Sequence, residues 1–186
     1  HTLRYALRRG ALTQLVIQVD AQVWPFKVFA HHSYLHDVRL AIPYVILVPE
    51  LMRYGNGSQV VNAYAFYRNA PLQSVNDDVY QTNFPNILHG EVICLGMQHE
   101  LQASMAQSAS DAECARLFVD DFVHRPFSDH SMHRFFDSKQ LHNAFSSFAD
   151  WEALSRRDPN FVLRVPWRYV GRLDDLLQRS QGALFL

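Results

Sequence analysis

Cysteine is scarce: only Cys94 and Cys114 occur in 186 residues. Two thiols in a chain of this length do not make a disulfide framework, and they fit a reducing compartment. No apolar run has the length needed to cross a bilayer as a helix. The formal net charge is -1 and no long basic run is present, so the electrostatic footprint of a nucleic-acid binder is missing. Neither a phosphate-cradling glycine loop nor a His-Glu-x-x-His element occurs, and there is no internal repeat. The opening His1-Thr2-Leu3-Arg4 carries neither an initiator methionine nor the apolar segment of a signal peptide, which fits a trimmed start. These absences lead to the expectation of a soluble cytoplasmic protein that needs no metal or other cofactor and engages neither nucleic acid nor membrane.

Apolar and aromatic material is plentiful. Hydrophobic residues make up 48% of the chain, with 13 Phe, 8 Tyr and 3 Trp, enough for a sizeable core. One domain over 1–186 is the natural expectation at this length. Leu15-Val16-Ile17-Gln18-Val19 is short and β-branched, which favours a strand. Residues 22–30 form a second, in which Pro25 marks an edge or a bulge. The run 42–49 is apolar nearly throughout and reads as a strand buried on both faces. Gly55-Asn56-Gly57-Ser58 signals a turn before a fourth strand over 60–67. Four successive strands joined by short turns predict a four-stranded antiparallel meander.

Residues 68–96 lack clear periodicity, a property often found in functional loops. Ser110-Asp111-Ala112-Glu113 then forms a capping box, hydroxyl and carboxylate each satisfying a free amide at a helix start. The helix carries the stripe Ala115, Phe118, Val119 and Phe122 and stops at His124-Arg125-Pro126. A second helix is expected from Ser138, with Leu141, Phe145, Phe148 and Ala149 on one face. An extended piece over 161–165 and a last short helix through Leu173, Leu176 and Leu177 follow. Strands first and helices afterwards make an α+β domain, with 128–186 as a helical C-terminal extension.

The most informative stretch is Phe84-Pro85-Asn86-Ile87-Leu88-His89-Gly90-Glu91-Val92-Ile93-Cys94-Leu95-Gly96. A turn rich in Pro, Asn and Gly, followed by Val-Ile-Cys-Leu, folds the backbone back so that the Asn86 amide approaches the Cys94 sulfur. A presented thiol with a nearby donor for an oxyanion is what acyl transfer by a cysteine nucleophile requires.

At these residues the chain resembles the ubiquitin-conjugating (E2) superfamily. That family has a His-Pro-Asn turn, a glycine, then Ile-Cys-Leu, with eight positions between asparagine and cysteine. Pro85, Asn86, Gly90, Ile93, Cys94 and Leu95 match, as does the spacing; Phe84 stands at the histidine and the glycine sits one position further from the cysteine. The wording looks most like prokaryotic E2-like proteins, in particular the PRTRC system protein B group (prokaryotic E2 family D), on Tyr80, Cys94 with Gly96, and the run from Phe118 to His124. The resemblance covers about 42–127. It implies a UBC-like fold, with the meander followed by an active-site loop and C-terminal helices. It also implies a thioester on Cys94, with Asn86 steadying the oxyanion and Pro85, His89, Gly90 and Gly96 in support. The implied partners are an E1/ThiF-like activating enzyme, a ubiquitin-like β-grasp protein and a protein substrate.

Two further readings use the same residues. One is a catalytically inert E2-like binding module that scaffolds an E1-like or ubiquitin-like partner. The other, a papain-type hydrolase, is disfavoured because such nucleophiles sit at helix N-termini, whereas Cys94 ends an extended run. Cys114, one helical turn ahead of Phe118, reads as core. His89 and His99 flank the thiol and are candidates for lowering its pKa. His124, His130 and His133 form a small cluster with Asp129 and Asp137, and the spacing of three between His130 and His133 could set two imidazoles on one helical face for zinc; neither cysteine lies close in sequence, so solvated, capping or packing roles are expected. His31, His32 and His36 read as loop residues.

Overall fold

The computed structural model describes residues 1–30, 33–55, 57–84, 86–95, 99–108, 110–125, 127–128, 144–145 and 147–179. It is a mixed α/β structure built on two sheets. The larger sheet is antiparallel throughout. It starts with β1 (Thr2–Arg9) and β2 (Leu12–Val19), continues with β5 (Tyr44–Tyr54) and β6 (Gly57–Arg68), and ends with β7 (Asp78–Gln81) and β9 (Tyr169–Arg172). The smaller sheet holds β3 (Gln22–Ala30) between β4 (Ser33–Ile42), antiparallel, and β8 (Phe127–Ser128), parallel.

The expected strands are present, but they do not form one meander. β3 leaves the large sheet and turns back on β4, so β2 pairs directly with β5. The stretch around His36 is strand rather than loop, because Val38, Leu40 and Ile42 alternate into the core while Asp37 and Arg39 face out. Pro25 is tolerated where expected: β8 lies alongside only Val28 and Phe29, so at Pro25 the strand has one neighbour, Arg39 on β4.

β5 is buried on both faces, as the nearly continuous apolar run in 42–49 predicts, and β2 beside it is buried on both faces as well. Leu15, Ile17, Val19, Val45 and Leu47 join a main core with Trp24, Phe84, Phe118 and Trp151. Their alternate neighbours Val16, Ile46 and Val48 join a second core with Phe66, Leu72 and Val79 under helix α4 (Leu173–Arg179). Burying each such side chain contributes about 1.5–3 kcal/mol before conformational entropy is counted.

Helix α2 (Asp111–His124) begins where expected, with half of the predicted capping box: the Ser110 hydroxyl accepts from the Glu113 amide at 3.1 Å, while the Glu113 carboxylate pairs with Arg116 instead of the Ser110 amide; Cys114, Ala115, Phe118, Val119 and Phe122 are buried. Helix α1 (His99–Ala106) packs on β6, where its Gln102 side chain makes two hydrogen bonds to the backbone of Val60. Gly57 permits this approach, since a Cβ there would lie 1.9 Å from the Ala106 carbonyl oxygen.

Helix α3 (Phe148–Arg157) starts later than Ser138. The Ser147 hydroxyl caps it, and Ala144 and Phe145 before it are not helical; Ser138 and Leu141 lie outside the described residues. α3 covers the free edge of β4. Ala41 donates to Ser155 Oγ at 2.8 Å and accepts from Trp151 Nε1 at 2.9 Å, and the Arg39 amide donates to Glu152 Oε1 at 3.0 Å. An otherwise unpaired strand edge is thereby satisfied by side chains. The expected extended piece at 161–165 is instead a 3₁₀ turn, Phe161–Arg164. The stretch expected as a helical extension also supplies β9 to the large sheet and Val162, Val165 and Trp167 to the main core. Among the described residues, no helix is long and apolar enough to cross a membrane.

Candidate functional site

The segment 86–95 is a tight hairpin laid against β6. Ile87 and Ile93 bridge in antiparallel register, and Val92 bridges to Tyr64. The Leu88 amide donates to the Val92 carbonyl at 2.7 Å, and the Ile93 amide donates to the Ala63 carbonyl on β6 at 2.8 Å. The Cys94 amide donates to the Asn86 carbonyl at 2.7 Å. Asn86 and Cys94 thus stand directly across from one another. The backbone doubles back as the Pro-Asn-Gly turn signals require.

Phe84 fixes the first arm. Its ring is buried against Trp24, Phe26, Tyr67 and Phe122, with centroids 5.8, 6.0, 5.3 and 5.3 Å away. Edge-to-face and offset arrangements of this kind stabilise beyond the area they bury. Ahead of it, Asn83 accepts from the Tyr67 hydroxyl at 2.8 Å. Burial holds that phenol's pKa well above its usual value.

The Cys94 side chain is exposed, while Cys114 is buried in the core of α2. Beyond the thiol, Arg125 at the end of α2 donates to the carbonyls of Cys94 (3.3 Å) and Leu95 (3.0 Å) and pairs with Asp121. Burial raises the Asp121 pKa even against that guanidinium. The Asn86 amide is withdrawn from water, and neither its oxygen nor its nitrogen has a partner among the described residues. Leaving buried polar atoms unpaired costs about 1–3 kcal/mol each.

Gly90 sits at the tip with φ 70° and ψ 26°, in the left-handed region that glycine enters without a Cβ penalty. Glu91 follows at φ 65°, the one non-glycine residue with positive φ among those described. Its side chain is only 5% exposed. One carboxylate oxygen accepts from the Thr82 amide at 3.0 Å and the Thr82 hydroxyl at 3.3 Å. Burial raises its pKa to about 7, against the opposing pull of Thr82, Gln81 and Arg168. Leu88, on the same hairpin, is 48% exposed.

Of the other predicted site residues, Pro85 and Gly96 lie outside the described residues, as do the side chains of His89 and His99. His89 opens the 3₁₀ turn His89–Glu91 at the hairpin tip. His124 is exposed, with Nδ1 2.8 Å from the carbonyl of Asp120 one turn back, a local helix-end contact. His31, His32, His130 and His133 fall outside the described residues.

Sequence reasoning missed Glu91 and Arg125. Glu91 is the one charged residue between Gly90 and the apolar Val92-Ile93, a signal that marks it in hindsight. Its partner Thr82 and its backbone angle leave no local signature. Arg125 stood in view as part of a helix stop, and only the tertiary fold brings it to the Cys94 carbonyl. Comparison with models of known protein families, with curated proteins and with solved structures finds no match.

Proposed function

We propose that this chain is an E2-like carrier in a UBC-like domain: Cys94 accepts a ubiquitin-like modifier as a thioester from a ThiF/E1-like enzyme and passes it to a target amine. The observation that supports this most is the exposed Cys94 thiol held across a backbone hydrogen bond from Asn86, whose amide is unpaired among the described residues. A buried polar group left unsatisfied calls for an explanation, and a role in catalysis supplies one. In the first step the Cys94 thiolate attacks the modifier's terminal thioester carbonyl. A new carbon–sulfur bond forms, the bond to the donor's sulfur breaks, and the donor thiol takes up a proton. In the second step an amine attacks the Cys94 thioester, the Asn86 amide donates to the oxyanion, and the Cys94 thiolate leaves as the amine's proton is lost. ATP is consumed upstream, so the chain itself needs no cofactor.

A second reading, an inert E2-like scaffold for the same partners, is favoured by one observation. Phe84, where the family's histidine would stand, is core packing, and so adds no polar group beside the thiol. One experiment separates the two. Incubation with an E1-like enzyme, a β-grasp modifier and ATP is expected to give a thiol-sensitive adduct. C94S should abolish that adduct or convert it to a stable ester. N86A should still load but discharge about 100- to 1,000-fold more slowly. Absence of an adduct on the parent chain rejects the carrier and leaves the scaffold.

A further inference from the structure

The Glu91 carboxyl touches neither Asn86 nor Cys94 in any described hydrogen bond, yet it sits at the turn whose return arm ends on the thiol. A non-glycine residue at φ 65° costs of the order of 1–3 kcal/mol, and such strain persists only where surrounding contacts over-determine it. Here those contacts are the two hydrogen bonds from Thr82, directly beyond Gln81, the last residue of β7. The Gln81 amide in turn donates to the Arg168 carbonyl at 2.8 Å, so the anchor is itself fixed from the C-terminal part of the chain. Cut this contact, and the tip keeps only the hairpin's own backbone hydrogen bonds and the bridging of Val92 and Ile93 to β6, while Phe84 and Arg125 hold the two arms further back.

We infer that Glu91 is a positioning residue that latches the Cys94 hairpin onto the end of β7, and that its ionisation loosens the latch and frees the thiol-bearing arm. The inference rests on the reading of Cys94 as the reacting thiol, which gives the latch something to regulate. The groups that face this carboxyl are Thr82, the Gln81 side chain, the Arg168 guanidinium and the buried Tyr67 phenol. Arg168 is exposed and does not offset the burial of the negative charge. The neutral acid therefore fits the docked tip, and the carboxylate favours water.

The test needs no modifier, so its failure is separate from that of the carrier reading. Amide exchange of Leu88, Ile93 and Cys94, corrected for intrinsic rates, is followed against pH alongside alkylation of Cys94 corrected for thiolate content. For a carboxyl moved from 4.5 to about 7, protection in the parent should fall about ten-fold between about pH 6 and pH 9. Alkylation should rise over the same pH range by a smaller factor, because the Cys94 side chain is already exposed in the docked hairpin. E91Q keeps an acceptor for Thr82 and carries no charge, so both curves should lose that step and stay at the protected level. E91A should be loose at every pH. Should E91A prove unfolded, E91Q alone decides. An E91Q chain that retains the step, or an E91A chain with parental protection, overturns the latch.

Discussion

Replacing Phe84 by alanine removes the ring that joins the Cys94 hairpin to the main core. That ring is 3% exposed and meets Trp24, Phe26, Tyr67 and Phe122 within 6.0 Å between centroids. Truncation of a buried phenylalanine costs about 3–5 kcal/mol, combining lost transfer energy with the cavity left behind. The upper half of that range is expected here, because four aromatic neighbours cannot collapse around a methyl group. F84H is the sharper test, since it sets a ring with polar nitrogens in the same place. Its imidazole would enter an aromatic pocket in which the Tyr67 hydroxyl is already committed to Asn83. An unpaired ring nitrogen adds about 1–3 kcal/mol to the lost apolar contact.

Acid adds a second signature. The buried imidazole resists protonation while the unfolded chain takes up its proton near pH 6.5. The unfolded state then binds more protons, so F84H should lose further stability as pH falls through about 6.5. Urea unfolding of parent, F84A and F84H at about pH 8 and pH 5.5 measures all of this. If F84A costs under about 1 kcal/mol, or F84H matches the parent at both pH values, the aromatic anchor is not what holds the hairpin.

Glu91 makes its own contribution to the pH dependence of stability. The folded chain retains the Glu91 proton after the unfolded chain has released it, so stability present below pH 4.5 is lost as the pH climbs through 7. The shift is worth up to about 3 kcal/mol between pH 4 and pH 9, and urea titrations should find E91Q flatter than the parent by that amount; parallel curves would refute it. Gly57 fails differently: G57A sets a methyl 1.9 Å from the Ala106 carbonyl oxygen and must displace α1. A loss of about 1–3 kcal/mol is expected, read as a Tm lowered by a few degrees, and an unchanged Tm would count against the close approach.

Much of this arrangement is legible in the sequence where local physics decides it. The Ser110 cap and the stripe through Phe122 place α2 because a capping hydroxyl and a helical period act within one segment. β2 is legible as a strand from its short β-branched segment, and β5 as a strand buried on both faces from the nearly continuous apolar run in 42–49. The same runs do not say which strand lies beside which, so the exit of β3 and β4 into a second sheet was hidden. β4 is not legible because His36, Asp37 and Arg39 mask the alternation of Val38, Leu40 and Ile42. β7 and β9 are four residues each and gain their pairing from one another across a long separation in sequence, which no window records. At the site, the spacing of Asn86 and Cys94 anticipates their facing positions across the hairpin. The burial of the Asn86 amide, the left-handed Glu91 and the reach of Arg125 arise only from tertiary packing.

The placement of β9 beside β7 sets an order of events during synthesis. A chain leaving the ribosome delivers β1 to β7 and the Cys94 hairpin well before Tyr169–Arg172 and Arg168 emerge. Until they do, β7 is an open border of the large sheet, and the residue gripping Glu91 stands at the end of an unflanked strand. The border strand that carries Thr82 at its end is therefore completed only by residues that lie far along the chain, after α2 and α3.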